Sequence, residues 1–124
     1  MPRKPKPPTI DKRWQIEILM NEIDSLNTTL SSPKFYDPEE KESLIWLRDF
    51  TKSWLAELEG KAQPNLSKDN IDQKINFIDD EISMWSQIPA MDESLPDDER
   101  AGILEDIQKL KQWKAELRKL KISL

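Results

Sequence analysis

Apolar residues recur at helical spacing along most of the chain. The first run advances by alternating steps of three and four residues, which places its members on one face of a helix: Ile16, Leu19, Ile23, Leu26 and Leu30. The second run is Leu44, Leu47, Thr51, Trp54 and Leu58, and the third is Ile71, Ile75, Ile78, Ile82 and Trp85. The fourth run is Ile103, Ile107, Leu110, Trp113, Leu117 and Leu120. No stretch alternates apolar and polar residues as a strand does, so the pattern predicts an all-α protein with four helices.

Capping residues predict where the first two helices begin and end. Thr9 is the predicted N-cap of the first helix, which we expect to end near Leu30. The second helix has a clear start, because Asp37 can cap it and Pro38 suits the first helical position. Gly60 is the natural stop, because glycine tolerates the left-handed conformation that ends many helices.

Ser67 is the predicted opening of the third helix. Because proline disfavours helical geometry in the residue before it, we expect this helix to stop at or before Ile88, ahead of Pro89. The segment SLPDDER at 94–100 has a proline followed by acids, as at the start of the second helix, and it predicts the fourth helix.

Short connections predict that consecutive helices are antiparallel neighbours. We therefore expect two helical hairpins in a bundle-like arrangement within a helical domain at 9–124. The first hairpin spans about 9–61, a polar linker spans about 62–67, and the second hairpin spans about 68–122. Residues 1–8 contain four prolines and three basic residues, so they predict a flexible, extended basic arm.

The two predicted hairpins resemble each other at an offset of 59 residues. The pattern Lys-x-Trp-x-Ala-Glu-Leu occurs at 52–58 and again at 111–117. The same ungapped offset aligns Ile16 with Ile75 and Ile23 with Ile82. The repeat favours a tandem duplication of one hairpin, and the alternative is a chance match between helices of similar composition.

Composition removes most catalytic chemistry. The chain has no cysteine and no histidine, which excludes disulfides, thiolate nucleophiles, imidazole acid-base catalysis and ordinary structural zinc sites. The acidic clusters DDE at 79–81 and DDER at 97–100 lack the alternating acids and central glycine of a calcium loop. The two glycines are isolated, so there is no glycine-rich phosphate loop. We therefore expect no catalytic, cofactor-binding or metal-binding residues, and no enzyme.

The charge is acidic overall but unevenly distributed. The net charge is −5, which argues against broad nucleic-acid binding by the folded body. Residues 107–124 nevertheless carry six basic residues against Glu116. A favourable interaction with the helix dipole explains this bias, and a basic docking site is the alternative. No apolar run approaches the roughly 18 residues of a membrane span, and no hydrophobic segment follows the basic N-terminus, so we expect a cytoplasmic protein without membrane contact.

Aromatic and apolar residues outside the four runs are the candidate partner-binding residues: Ile10, Trp14, Ile18, Phe35, Tyr36, Trp46 and Phe50. These side chains either pack internally against a second helix or form an exposed interface patch. In the arm, Arg3, Lys4 and Lys6 are candidates for electrostatic contact.

These features predict a small non-enzymatic module for protein–protein interaction, acting as an adaptor or in assembly. The expected partner is a protein, and a second copy of the chain is one candidate. The alternative function is a nucleic-acid-associated regulator that uses the basic arm and the basic end of the fourth helix.

Overall fold

The computed structural model describes residues 11–32, 37–91 and 93–124, without the side chains of 89–91. Within these ranges the secondary structure is four α-helices and no strand: α1 Lys12–Ser31, α2 Pro38–Leu58, α3 Lys68–Met91 and α4 Asp97–Ser123. Helix α1 contacts α2, and α3 contacts α4. The predicted all-α fold with two helical hairpins is therefore confirmed. The described residues fall into two compact units, hairpin 1 at 11–64 and hairpin 2 at 65–124.

Helix α2 begins and ends as its sequence predicts. The Asp37 carboxylate accepts hydrogen bonds from the backbone amides of Glu39 and Glu40 at 2.8 and 3.3 Å. At the other end Gly60 has φ +75°, the left-handed conformation that side chains other than glycine rarely adopt. The amide of Lys61 then bonds the carbonyl of Ala56 at 2.9 Å, which closes a Schellman motif.

The predicted start of α1 is wrong by two residues. The N-cap is Asp11 rather than Thr9, which lies outside the described residues. The Asp11 side chain accepts a hydrogen bond from the amide of Trp14 at 2.7 Å. A carboxylate at this position satisfies a free amide and also interacts favourably with the positive end of the helix.

The predicted end of α3 is also wrong, because the helix continues through Pro89 to Met91. Proline removes a single backbone donor, and its effect on the preceding residue is a bias rather than a prohibition. The predicted start is confirmed, since the Ser67 hydroxyl accepts a hydrogen bond from the amide of Asn70 at 3.2 Å.

The core of hairpin 1 is formed by the predicted face of α1, by Ile18 beside that face, and by the middle of α2. The buried residues of α1 are Ile18, Leu19, Ile23 and Leu26. Thr51 and Trp54 are the buried residues of α2. The Thr51 hydroxyl donates to the carbonyl of Leu47 at 2.7 Å, so its polar group is satisfied within the helix.

Hairpin 2 has the larger buried core, whose apolar members are Ile71, Ile75, Phe77, Ile78, Ile107, Leu110, Trp113 and Leu117. Two ion pairs run along one side of it: Lys121 to Asp72 at 2.6 Å and Lys114 to Asp79 at 2.5 Å. The acids are seven residues apart along α3, and their partners are seven residues apart in the opposite direction along α4. This register shows that the two helices are antiparallel.

Three buried residues of α3 lie beside the predicted core face rather than on it: Lys74, Phe77 and Glu81. Glu81 accepts a hydrogen bond from the indole nitrogen of Trp85 at 3.0 Å, which compensates part of the cost of burying a carboxylate. The apolar pattern of α3 alone did not predict this second buried side.

The two hairpins match at the offset of 59 residues in several structural respects. Trp54 and Trp113 are both 3% exposed, and Leu19 and Ile78 are both fully buried. Helices α2 and α4 begin 59 positions apart, whereas α4 extends further at its end. The hairpins are thus alike in structure, and a common origin for them stays a prediction.

Candidate interaction surface on helix α2

Three aromatic side chains follow one another at four-residue intervals along α2. Trp46 and Phe50 stack with ring centroids 5.3 Å apart and planes 12° from parallel. Phe50 also contacts Trp54, with centroids 6.2 Å apart and the rings tilted by 57°. Trp54 is buried, whereas Trp46 is 51% exposed. The indole of Trp46 is therefore an exposed apolar surface that packs on one side against Phe50, which in turn contacts the buried Trp54.

Acidic residues surround this aromatic pair. Glu39 and Glu42 line a shallow depression with Ser43 and Trp46. Asp49, one turn further along, is exposed and lies 3.4 Å from the guanidinium of Arg48. Segment 37–49 carries five acids against two basic residues. We refer to Glu42, Trp46, Asp49, Phe50 and Ser53 as the α2 surface.

Hairpin 2 differs at the positions equivalent to the aromatic pair. Fifty-nine residues after Trp46 and Phe50 the chain has Glu105 and Lys109. Their side chains form an ion pair of 3.8 Å one turn apart. Glu105 is exposed and Lys109 is half-buried, and an i,i+4 ion pair of this kind suits a helix face that is partly in contact with solvent. The stacked aromatic pair therefore distinguishes hairpin 1.

The other sequence-predicted residues are less accessible or are not described. Ile18 is 8% exposed and Trp14 is half-buried, so neither offers a large apolar surface to a partner in this conformation. Ile10, Phe35 and Tyr36, with the basic candidates Arg3, Lys4 and Lys6, lie outside the described residues. Of the predicted partner-binding residues, the structure thus brings together Trp46 and Phe50.

A second exposed surface, which the apolar pattern did not single out, runs along the solvent side of α4. Lys111, Ala115, Arg118 and Ile122 follow at steps of four, three and four residues, and all four are exposed. At about 100° per residue, these steps place them on one side of the helix. Ile122 is 85% exposed. We refer to these four residues as the α4 surface. Their helical spacing in the sequence could have identified this surface.

The described residues hold no group of three acidic side chains placed to bind a metal ion. None of the helices in this part of the chain is long and apolar enough to cross a membrane. The accessible chemistry of the α2 surface is therefore that of carboxylates and aromatic rings. Such a surface can bind a partner through apolar contact, ion pairs and cation–π interactions.

Comparison with models of protein families, with curated proteins and with solved structures finds no match.

Proposed function

We propose that this protein is a small non-enzymatic module that binds another protein chain through the α2 surface. The observation that carries the proposal is the Trp46–Phe50 stack, which leaves half of an indole exposed where hairpin 2 has an ion pair. Tryptophan is among the residues most enriched at binding hot spots, because it contributes a large rigid area at low conformational cost. Its support by Phe50 limits the freedom that binding would have to remove.

The acidic residues beside the aromatic pair indicate that the proposed partner is positively charged. Glu42 and Asp49 lie about one turn on either side of Trp46, and both are exposed. A partner that presents lysine or arginine around an apolar contact would satisfy this surface, with the charges at the rim and the indole at the centre. The module would then act in assembly or as an adaptor.

Site-specific photo-crosslinking in the host organism tests this proposal. A benzoylphenylalanine residue replaces Ser43, which lies one turn from Trp46 and lines the same depression. The expected result is a crosslink to a protein that disappears when Trp46→Ala is added. The crosslink should form because the photoreactive group at position 43 lies at the edge of the contact between Trp46 and the partner.

The matched control places the same photoreactive residue at Gly102, which is the position equivalent to Ser43 in hairpin 2. Gly102 has open space around it, so the larger side chain fits there. A crosslink that survives Trp46→Ala, or that forms equally well from position 102, would contradict the proposed function.

The basic end of α4 favours a second candidate function, association with nucleic acid. Lys111, Arg118 and Lys119 are exposed on α4 and could contact phosphates. If they do, binding to a DNA or RNA oligonucleotide should fall steeply with salt and should be lost in an Arg118→Glu, Lys119→Glu variant. Equal binding by that variant and by the natural chain would contradict this candidate.

A further inference from the structure

The α2 and α4 surfaces have the same spacing and opposite charge. Glu42, Trp46 and Asp49 are separated by steps of four and three residues. Lys111, Ala115 and Arg118 are separated by the same two steps. Because both segments are helical, each triplet covers about 10 Å along its axis.

We propose that the partner of the α2 surface is the α4 surface of a second copy of this chain. This inference rests on the proposed function and names the occupant of the same site. The two helices would pair in parallel, with Glu42 against Lys111, Trp46 against Ala115, and Asp49 against Arg118. Continuing the register by four residues sets Ser53 against Ile122.

Side-chain size supports this register as well as charge does. Trp46 is the largest side chain in its triplet, and Ala115 is the smallest in the other. An indole requires a partner helix that leaves room beside its backbone, and alanine leaves that room. The flanking carboxylates and cations would then meet at the rim, where opposite charges favour association and set the register.

All the residues needed for the contact are accessible in one copy. Glu42, Trp46, Asp49 and Ser53 are exposed on α2, and Lys111, Ala115, Arg118 and Ile122 are exposed on α4. The ion pair between Asp49 and Arg48 is partly exposed through Asp49, so it is weak and easily exchanged.

The contact joins two different surfaces, which determines the kind of assembly. After one such pairing, the first copy still has a free α4 surface and the second copy still has a free α2 surface. Such heterologous contacts produce a ring if the rotation closes and an open chain if it does not. The natural chain should therefore form species larger than a dimer as its concentration rises.

Sedimentation velocity of two complementary variants tests the proposal with the full chain. Trp46→Ala disables the α2 surface, and Arg118→Glu disables the α4 surface. Each variant alone should stay monomeric, because a hot-spot tryptophan or a reversed rim charge should weaken pairing by roughly thirtyfold. An equimolar mixture should form a one-to-one dimer and nothing larger, because each variant supplies the surface that the other lacks.

Charge reversal tests the register. Asp49→Arg and Arg118→Asp should each reduce association when present alone. The double variant should regain association with the salt sensitivity of the natural chain, because each contact again joins opposite charges. Lys52→Glu is the control, since it changes an exposed charge on α2 outside the α2 surface.

Several results would overturn this inference. One is a natural chain that stays monomeric at every concentration. Another is a mixture of the two variants that contains only monomers, and a third is a Trp46→Ala variant that associates as well as the natural chain does. An oligonucleotide that binds through Arg118, without any self-association, would assign the α4 surface to nucleic acid instead.

Failure here is distinguishable from failure of the proposed function. If the chain does not self-associate but Ser43 still gives a Trp46-dependent crosslink to a different protein, the function stands and the inferred occupant is wrong. If neither is observed, both proposals fail.

Discussion

Hairpins 1 and 2 each have a buried tryptophan at the centre of their own core, and they differ at the edges of that core. Trp54 and Trp113 occupy equivalent positions and are equally buried. At the edges, the stack of Trp46 on Phe50 in hairpin 1 is replaced by the ion pair of Glu105 with Lys109 in hairpin 2. Packing of the core constrains the central positions, whereas the edge positions are free to serve binding.

A second pair of equivalent positions shows the same difference. Asp79 and Lys114 form an ion pair across hairpin 2. The positions 59 residues earlier are Met20, which is exposed, and Leu55, which is half-buried. Hairpin 2 thus covers this edge with charge, while hairpin 1 exposes apolar atoms on it.

The largest expected effect comes from the buried tryptophan at the centre of each hairpin. Trp54→Ala and Trp113→Ala should each lower the free energy of unfolding by about 3–5 kcal/mol, because each deletes a buried aromatic side chain and leaves a cavity. Urea unfolding followed by circular dichroism measures both. If one variant loses the expected stability and the other loses almost none, the two centres are not equivalent.

The two glycines should respond in opposite directions. Gly60→Ala should cost about 1–2 kcal/mol, because alanine is strained at φ +75°. Gly102→Ala should instead stabilise the protein by about 0.5–1 kcal/mol, because Gly102 lies within α4 and its added methyl group meets no neighbour. Thermal and urea unfolding of the two variants measure these changes. A gain in stability at Gly60 would contradict the left-handed end of α2, and a loss at Gly102 would contradict its position within α4.

The ion pairs of hairpin 2 should contribute less. Asp72→Asn and Asp79→Asn should each lower the free energy of unfolding by about 0.2–1 kcal/mol, because both pairs are partly exposed to solvent. The difference from the natural chain should shrink in high salt. Asp80→Asn is the control, since Asp80 is exposed on the same helix. An equal loss in the control would show that the effect belongs to helix charge rather than to the pairs.

The smallest effect on folding is expected at the α2 surface itself. Trp46→Ala should change the free energy of unfolding of the monomer by about 0.5 kcal/mol or less, as exposed substitutions usually do. Urea unfolding at low protein concentration measures it. A loss comparable with that of Trp54→Ala would mean that the indole of Trp46 serves packing rather than binding.

Local signals in the sequence predicted much of this fold. The Asp37–Pro38 start, the Gly60 stop and the apolar spacing define α2, because each acts through nearby backbone groups. The passage of α3 through Pro89 was not predictable in this way, because proline locally disfavours a helix and the local signal therefore indicates a stop.

The candidate site was only partly predictable. The position of Trp46 around the helix axis placed it beside the core face of α2. Whether its side chain is exposed depends on which other helix packs there, and the sequence of α2 alone does not reveal this. The same limit applies to Ile18 and Phe77, which lie outside the apolar runs and are nevertheless buried. The spacing of Lys111, Ala115, Arg118 and Ile122 places them on one side of α4. Their match to the residues of α2 could be recognised only once the structure showed that both sets are exposed.

The most direct test of the central claim is the tryptophan indole region of the nitrogen-15 NMR spectrum, recorded on the full chain over a dilution series. The five indole N–H groups report on both hairpins in a single measurement. The signal of Trp46 should move with concentration and return to its dilute position in high salt, while those of Trp54 and Trp113 stay fixed. A Trp46 signal that keeps one position throughout the series would contradict the assignment of the α2 surface as the site of self-association.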